Sequence, residues 1–182
     1  MPIRITGGLM RGRNVPSPDT SKTRPTASRT REALFNILQG VENFRVLDLF
    51  AGTGIMGIEA LSRGAASVVA VEMAHAQARL VLQAYKALSL ESKITLLEKN
   101  ALTLDRESLC ASEGFDLIYA DPPFKDMDYP DLRPYWEWLN PGGIAVFEAP
   151  SRNLPAWVKE ADEAGKVQVR RYGESSLVIY RK

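Results

Sequence analysis

Asp48-Leu49-Phe50-Ala51-Gly52-Thr53-Gly54-Ile55-Met56-Gly57 is the stretch that decides the reading of this 182-residue chain. A β-rich run over 45–50 leads into it and a helical run near 55–63 leads out. Between them the glycines let the backbone turn sharply and approach a ligand without Cβ obstruction. Gly52, Gly54 and Gly57 match the G-x-G-x-x-G pattern literally, and the next predicted strand ends at Glu72, whose carboxylate can accept hydrogen bonds from ribose hydroxyls. Three glycines could serve a tight turn and nothing more. Strand, turn, helix and acid in this order favour a bound cofactor, and Phe50 and Thr53 within the turn are counted with its site.

Outward from that turn the same alternation recurs. Strands are predicted near 45–50, 67–72, 93–98, 115–120 and 143–149, and helices near 55–63, 74–88, 102–110, 129–139 and 154–164, which is the signature of a parallel α/β sheet. The last two alternating runs, 166–172 and 176–181, are joined through Gly173-Glu174-Ser175. That leaves no room for a crossover helix, so they pair as an antiparallel hairpin. The expected fold is a Rossmann-like α/β domain with a mostly parallel seven-stranded sheet and an antiparallel C-terminal hairpin. Upstream, residues 1–25 read as an arm or hairpin, with Gly7-Gly8, Gly12 and prolines at 16, 18 and 25. Residues 26–40 carry a helix with Ala33, Leu34, Ile37 and Leu38 on one face and Gly40 placed to stop it. The core occupies 41–182, and the whole of 1–182 is read as one domain.

Composition narrows the chemistry. The 45% hydrophobic and 25% charged make-up is that of a soluble protein, with no apolar run long enough to span a bilayer. The N-terminus lacks the features of a secretory signal, and one cysteine cannot close an internal disulfide, so a cytoplasmic location is expected. With one histidine and one cysteine, a zinc site and a Ser-His-Asp hydrolase are both disfavoured, and no metal is expected. His75 and Cys110 are assigned to structure or surface. The net charge of +1 hides an asymmetry. Residues 1–31 hold Arg4, Arg11, Arg13, Lys22, Arg24, Arg29 and Arg31 against Asp19 alone, so that end is +6 and the remainder −5. Such a concentration of positive charge suggests a polyanionic partner.

Glycine pattern and Glu72 do not by themselves separate NAD from S-adenosylmethionine. Asp48 pulls toward the methyl donor, because an acid just before the loop can meet the cationic amino end of methionine but would repel a pyrophosphate. Asn100-Ala101, after the third core strand, could read an adenine edge, and Asn is equally common as a helix N-cap. The fourth strand then delivers Asp121-Pro122-Pro123-Phe124 to the carboxyl edge of the sheet, beside the glycine loop. An exocyclic base amine is a poor nucleophile, since its lone pair is delocalised into the ring. Acceptors for its hydrogens favour a pyramidal nitrogen. The Asp121 carboxylate and the Pro122 carbonyl can be those acceptors, and consecutive prolines stiffen their backbone. Asp121 can also take the departing proton, and Phe124 offers a face on which an extruded base can stack.

With these pieces placed, the chain resembles the RsmD-type methyltransferases, which methylate the N2 amine of a guanine in bacterial small-subunit ribosomal RNA. The resemblance rests on Arg4-Ile5-Thr6-Gly7-Gly8 with Arg11-Gly12-Arg13, Arg24-Pro25-Thr26 leading to Arg31-Glu32-Ala33-Leu34-Phe35-Asn36, Asp48 to Gly54, Gly57-Ile58-Glu59-Ala60-Leu61-Ser62-Arg63-Gly64-Ala65, and Asp121 to Phe124. Asn14 and Met73-Ala74-His75 depart from it. The likeness implies S-adenosylmethionine as cofactor and small-subunit ribosomal RNA, or the assembling subunit, as partner of a monomer. It also implies that Arg24 and Thr26 close over the cofactor or target base, and that Arg4, Arg11, Arg13, Arg24 and Arg29 hold RNA phosphates. Asp-Pro-Pro-Phe serves adenine and guanine amines alike, so an adenine-N6 methyltransferase acting on DNA or another RNA is the rival enzyme. From different functional classes, a nicotinamide-dependent oxidoreductase and a noncatalytic RNA-binding protein of the same fold compete with it.

Overall fold

The computed structural model describes residues 3–15, 28–109, 113–123 and 129–182. The chain divides into two compact units, Met1–Leu104 and Asp105–Lys182. The first unit opens with the predicted hairpin, built from two very short strands, β1 (Ile3–Arg4) and β2 (Asn14–Val15), paired antiparallel with Ile3 opposite Val15. Helix α1 (Ser28–Leu38) follows, burying Leu34, Phe35 and Leu38, while Ala33 and Ile37 of the expected face are only half-buried. The helix ends at Leu38, as a stop at Gly40 suggests, with Gln39 in the left-handed conformation at φ 59°.

Three parallel strands form the heart of this unit: β3 (Arg45–Asp48), β4 (Ser67–Val71) and β5 (Ile94–Leu97), with β4 in the middle. Valines at 46, 68, 69 and 71 are buried, as a parallel strand covered on both faces requires. The connections are the helices α2 (Ile55–Ser62), buried at every position, and α3 (His75–Ala87), which buries Ala78, Val81, Ala84 and Tyr85 along one stripe.

The second unit contains the single-turn helix α4 (Arg106–Leu109), strand β6 (Phe115–Ala120), the long strand β7 (Leu139–Pro150), helix α5 (Ala156–Glu163), and strands β8 (Gln168–Tyr172) and β9 (Ser175–Arg181). Their order is β6-β7-β9-β8, with β6 and β7 parallel and the last two pairings antiparallel. Tyr172 faces Ser175 across a two-residue turn in which Gly173 has φ 64°. The expected α/β class is therefore found, with a mostly parallel seven-stranded sheet and an antiparallel C-terminal hairpin.

Two expected helices are corrected. Over 129–139 the structure has a 3-10 stretch at Arg133–Trp138 only. Pro130 and Pro134 lack the amide hydrogens an α-helix needs there. Over 102–110 the helix is broken into a 3-10 turn at Ala101–Thr103 and α4. Asn100 and Asp105 each accept a hydrogen bond from the amide two residues on, at 2.9 and 3.2 Å, so each starts its own short turn. No helix among the described residues is long and apolar enough to cross a membrane.

Candidate active site

In the first unit the chain leaves β3 at Asp48 and enters α2 through the glycine turn. Gly54 has φ 73° and donates its amide to the Ala51 carbonyl at 2.7 Å, closing the turn. A Cβ on Gly57 would lie 2.0 Å from the Tyr85 hydroxyl and 2.8 Å from Val68 Cγ1. That third glycine therefore serves helix-on-strand packing rather than the ligand face. Gly52 is held from both sides: its amide donates to Glu72 Oε2 at 3.0 Å, and its carbonyl accepts from the Gln77 side-chain amide. Glu72 Oε1 accepts from the Ala74 amide at 2.8 Å. Gln77 was not foreseen in this role, and its place on the first turn of α3 was the available signal.

Asp48 is only 1% exposed, and neither carboxylate oxygen has a hydrogen-bond partner. Burial, and secondly the negative charge of Glu72, push its carboxyl from the ordinary 3.8 up to about 7. The Gly57 amide, which falls short of hydrogen-bond geometry, pulls the other way. Beside it the fully buried Tyr85 hydroxyl also lacks a partner, and burial with the Asp48 charge raises its ionisation well above the usual range. An unpartnered buried acid of this kind is suited to a cationic group.

The remaining cofactor candidates occupy different environments. Thr53 is buried and Phe50 half-buried in the turn, whereas Asn100 is exposed and Ala101 buried just beyond β5. The Asn100 side chain caps the following turn through the Leu102 amide, so its oxygen is committed to backbone structure. Sequence reading passed over Met73 and Leu102, which follow Glu72 and Asn100 at the carboxyl ends of adjacent strands. They are 69% and 51% exposed, unusual for large apolar side chains. His75 pairs with Glu98 at 2.5 Å on the surface.

The basic hairpin is anchored to α2. Glu59, with no solvent exposure, accepts from the Thr6 amide at 2.9 Å and the Thr6 hydroxyl at 2.5 Å, and pairs with Arg63 at 3.0 Å. Arg31 Nε stands 3.9 Å from the same carboxylate, and Arg31 Nη2 donates to the Arg4 carbonyl at 2.8 Å. Arg31 is thus a buried structural charge and not part of the basic surface. Arg4, Arg11, Arg13 and Arg29 are exposed. Arg4 and Arg11 line a cleft of about 530 Å³ with Ser28 and Glu32 of α1. Arg24 and Thr26 lie outside the described residues.

In the second unit β6 ends at Ala120, and Asp121 follows half-buried, Pro122 buried and Pro123 exposed. Phe124 and Cys110 lie outside the described residues. Around Asp121 the structure gathers three residues that sequence reading missed. Glu148, 4% exposed, accepts from the Tyr119 hydroxyl at 2.6 Å, and its main-chain carbonyl accepts from the Tyr129 hydroxyl. Burial, then the charges of Asp121 and Glu148, drive the Tyr129 phenol far above its ordinary ionisation range. Trp157 steadies the same segment, donating its indole N–H to the Pro130 carbonyl at 3.0 Å with its ring centroid 6.2 Å from that of Tyr129. Nothing local marks this cluster in the sequence, because its members come from β6, β7 and the segment before the 3-10 stretch.

The model of the family described as Conserved hypothetical protein 95 matches residues 3–181. The chain is 39% identical over 126 residues to ribosomal RNA small subunit methyltransferase D of Escherichia coli K12, a match covering 68% of this chain and 61% of that protein. It therefore aligns with about three fifths of the length of that relative. It is 29% identical over 185 residues to the putative rRNA methyltransferase YlbH of Bacillus subtilis, covering 99% of both. Among solved structures, the putative methyltransferase yhhF from Escherichia coli superposes with a TM-score of 0.75 at 28% identity, covering 100% of this chain and 98% of that one.

Proposed function

The chain belongs to the family described as Conserved hypothetical protein 95, the RsmD-type family its sequence resembles, and from that premise we propose that it methylates the exocyclic N2 amine of a guanine in bacterial small-subunit ribosomal RNA, using S-adenosylmethionine. The observation that carries the proposal is Asp121-Pro122-Pro123 at the carboxyl end of a parallel strand in this fold. S-adenosylmethionine, when bound, supplies a methyl group on a positively charged sulfur. Three features of the first unit fit it. The unpartnered Asp48 carboxylate suits the methionine ammonium, and ionises fully once that cation is beside it. Glu72, already oriented by the Gly52 and Ala74 amides, has acceptor capacity left for the two ribose hydroxyls. Met73 and Leu102 offer apolar contact for the adenine ring.

In the second unit Asp121 and the Pro122 carbonyl accept the two hydrogens of the target amine and hold its lone pair available. Asp121 is placed to take the proton that the amine would give up on methylation. Phe124 stacks on the extruded base. Arg4, Arg11, Arg13, Arg24 and Arg29 hold phosphates, and the protein works as a cytoplasmic monomer. The test incubates the protein and labelled methyl donor with small subunits from cells lacking the activity, followed by mass identification of the nucleoside. N2-methylguanosine is expected, and N6-methyladenosine, or no label in RNA, would overturn the proposal.

A further inference from the structure

Glu148 is a second carboxylate standing beside the amine-binding acid. Strands β6 and β7 pair in parallel with Tyr119 opposite Val146 and Ala120 opposite Phe147, so Asp121 and Glu148 each follow directly on the last residues that pair. Residues two apart on a strand share a face. Tyr119 therefore shares one face with Val146 and Glu148, and the 2.6 Å bond from the Tyr119 hydroxyl to Glu148 Oε1 spans it. Tyr129 reports the same arrangement independently: its hydroxyl donates to the Glu148 carbonyl and is raised by the charges of both Asp121 and Glu148.

Two neighbouring carboxylates match one edge of one base. Guanine presents its N1–H donor next to its N2 amine, so it offers hydrogens to both acids at once. Adenine presents an acceptor at N1, which would leave one buried carboxylate facing a lone pair. Resting on the reading above, in which Asp121 binds the N2 amine, we propose that Glu148 accepts the N1–H of the target guanine and thereby selects guanine over other amine-bearing bases. The Tyr119 phenol donates to one oxygen of Glu148 and orients the carboxylate. Glu148 is thus a specificity-determining residue, distinct from the proton acceptor Asp121.

The test first locates the nucleotide that the wild-type protein modifies in unmethylated small subunits. Subunit RNA is then ligated from synthetic segments carrying guanine or 2-aminopurine at that position and assembled. 2-Aminopurine keeps the N2 amine but has an acceptor at N1. A site built around a hydrogen bond rejects an analogue lacking it by a large factor. The wild type should prefer guanine by roughly 100-fold or more in kcat/KM. Glu148→Gln, which can still accept from Tyr119, should bring that ratio to within about tenfold of unity, with melting temperature and S-adenosylhomocysteine affinity unchanged. A wild type that treats both bases alike overturns the proposal without any variant, as does a Glu148→Gln protein that binds S-adenosylhomocysteine normally yet keeps the wild-type ratio. Absence of N2-methylguanosine at the first step would instead refute the function on which the proposal rests.

Discussion

Replacing Asp48 by Asn should make the protein more stable and less able to hold its cofactor. The carboxyl is 1% exposed, has no hydrogen-bond partner, and titrates near 7 rather than 3.8. Because the folded state holds this proton more tightly than the unfolded state, the group costs nothing below about pH 4. The cost then grows as pH rises and is complete above about pH 7. At about 1.4 kcal/mol for each tenfold change in proton affinity, the full cost is about 4 kcal/mol. The Asn side chain stays neutral throughout. Asp48→Asn should therefore raise the melting temperature by about 10 °C at pH 8, given roughly 2–4 °C per kcal/mol for a chain of this size. The gain should shrink at pH 5 and vanish near pH 4. Thermal unfolding followed by circular dichroism across that range measures it. Titration calorimetry with S-adenosylhomocysteine should show the opposite trend, with affinity lost in the variant, and in the wild type falling as pH drops below 7. A variant less stable than wild type at pH 8 would refute the reasoning, because it would mean that the carboxylate has a partner worth more than its burial costs.

Other changes test the neighbouring structure. Gly57→Ala places a methyl group 2.0 Å from the Tyr85 hydroxyl and 2.8 Å from Val68; it should destabilise by about 1–3 kcal/mol, and Tyr85→Phe should restore part of the loss in a double-mutant thermal series. Glu59→Ala strips the Thr6 amide of its acceptor and the buried Arg31 of a counter-charge. A loss of about 3–5 kcal/mol is expected, with faster proteolysis within residues 3–15; unchanged protection would show that the hairpin is anchored elsewhere. Asp121→Ala should leave S-adenosylhomocysteine affinity within about twofold of wild type while abolishing methyl transfer to RNA, and a lost affinity would place Asp121 with the donor instead.

The alternation of β-rich and amphipathic runs made the fold class legible, because backbone pairing and burial impose their periods locally. The glycine turn and Glu72 were legible for the same reason: a sharp turn and the acid that clamps it lie within one βαβ unit. Reading failed where competing local signals met. The 129–139 pattern was amphipathic, yet its two prolines prevailed and left a 3-10 stretch. At Asn100 both cap and ligand reader were open, and the cap is present.

By itself the amino-acid sequence determined the order of the core strands and of helices α1, α2, α3 and α5, the turn at Gly52–Gly57, the basic N-terminal end and the place of Asp121-Pro122-Pro123 after a strand. Each of these is a property of residues within a few positions of one another. Only the tertiary structure decided that Arg31 is a buried partner of Glu59, that Asp48 is an acid with no partner, and that Glu148, Tyr119 and Tyr129 surround Asp121. Those outcomes depend on strand register and on burial. Both are set by contacts between segments far apart in the chain, so no local pattern carries them.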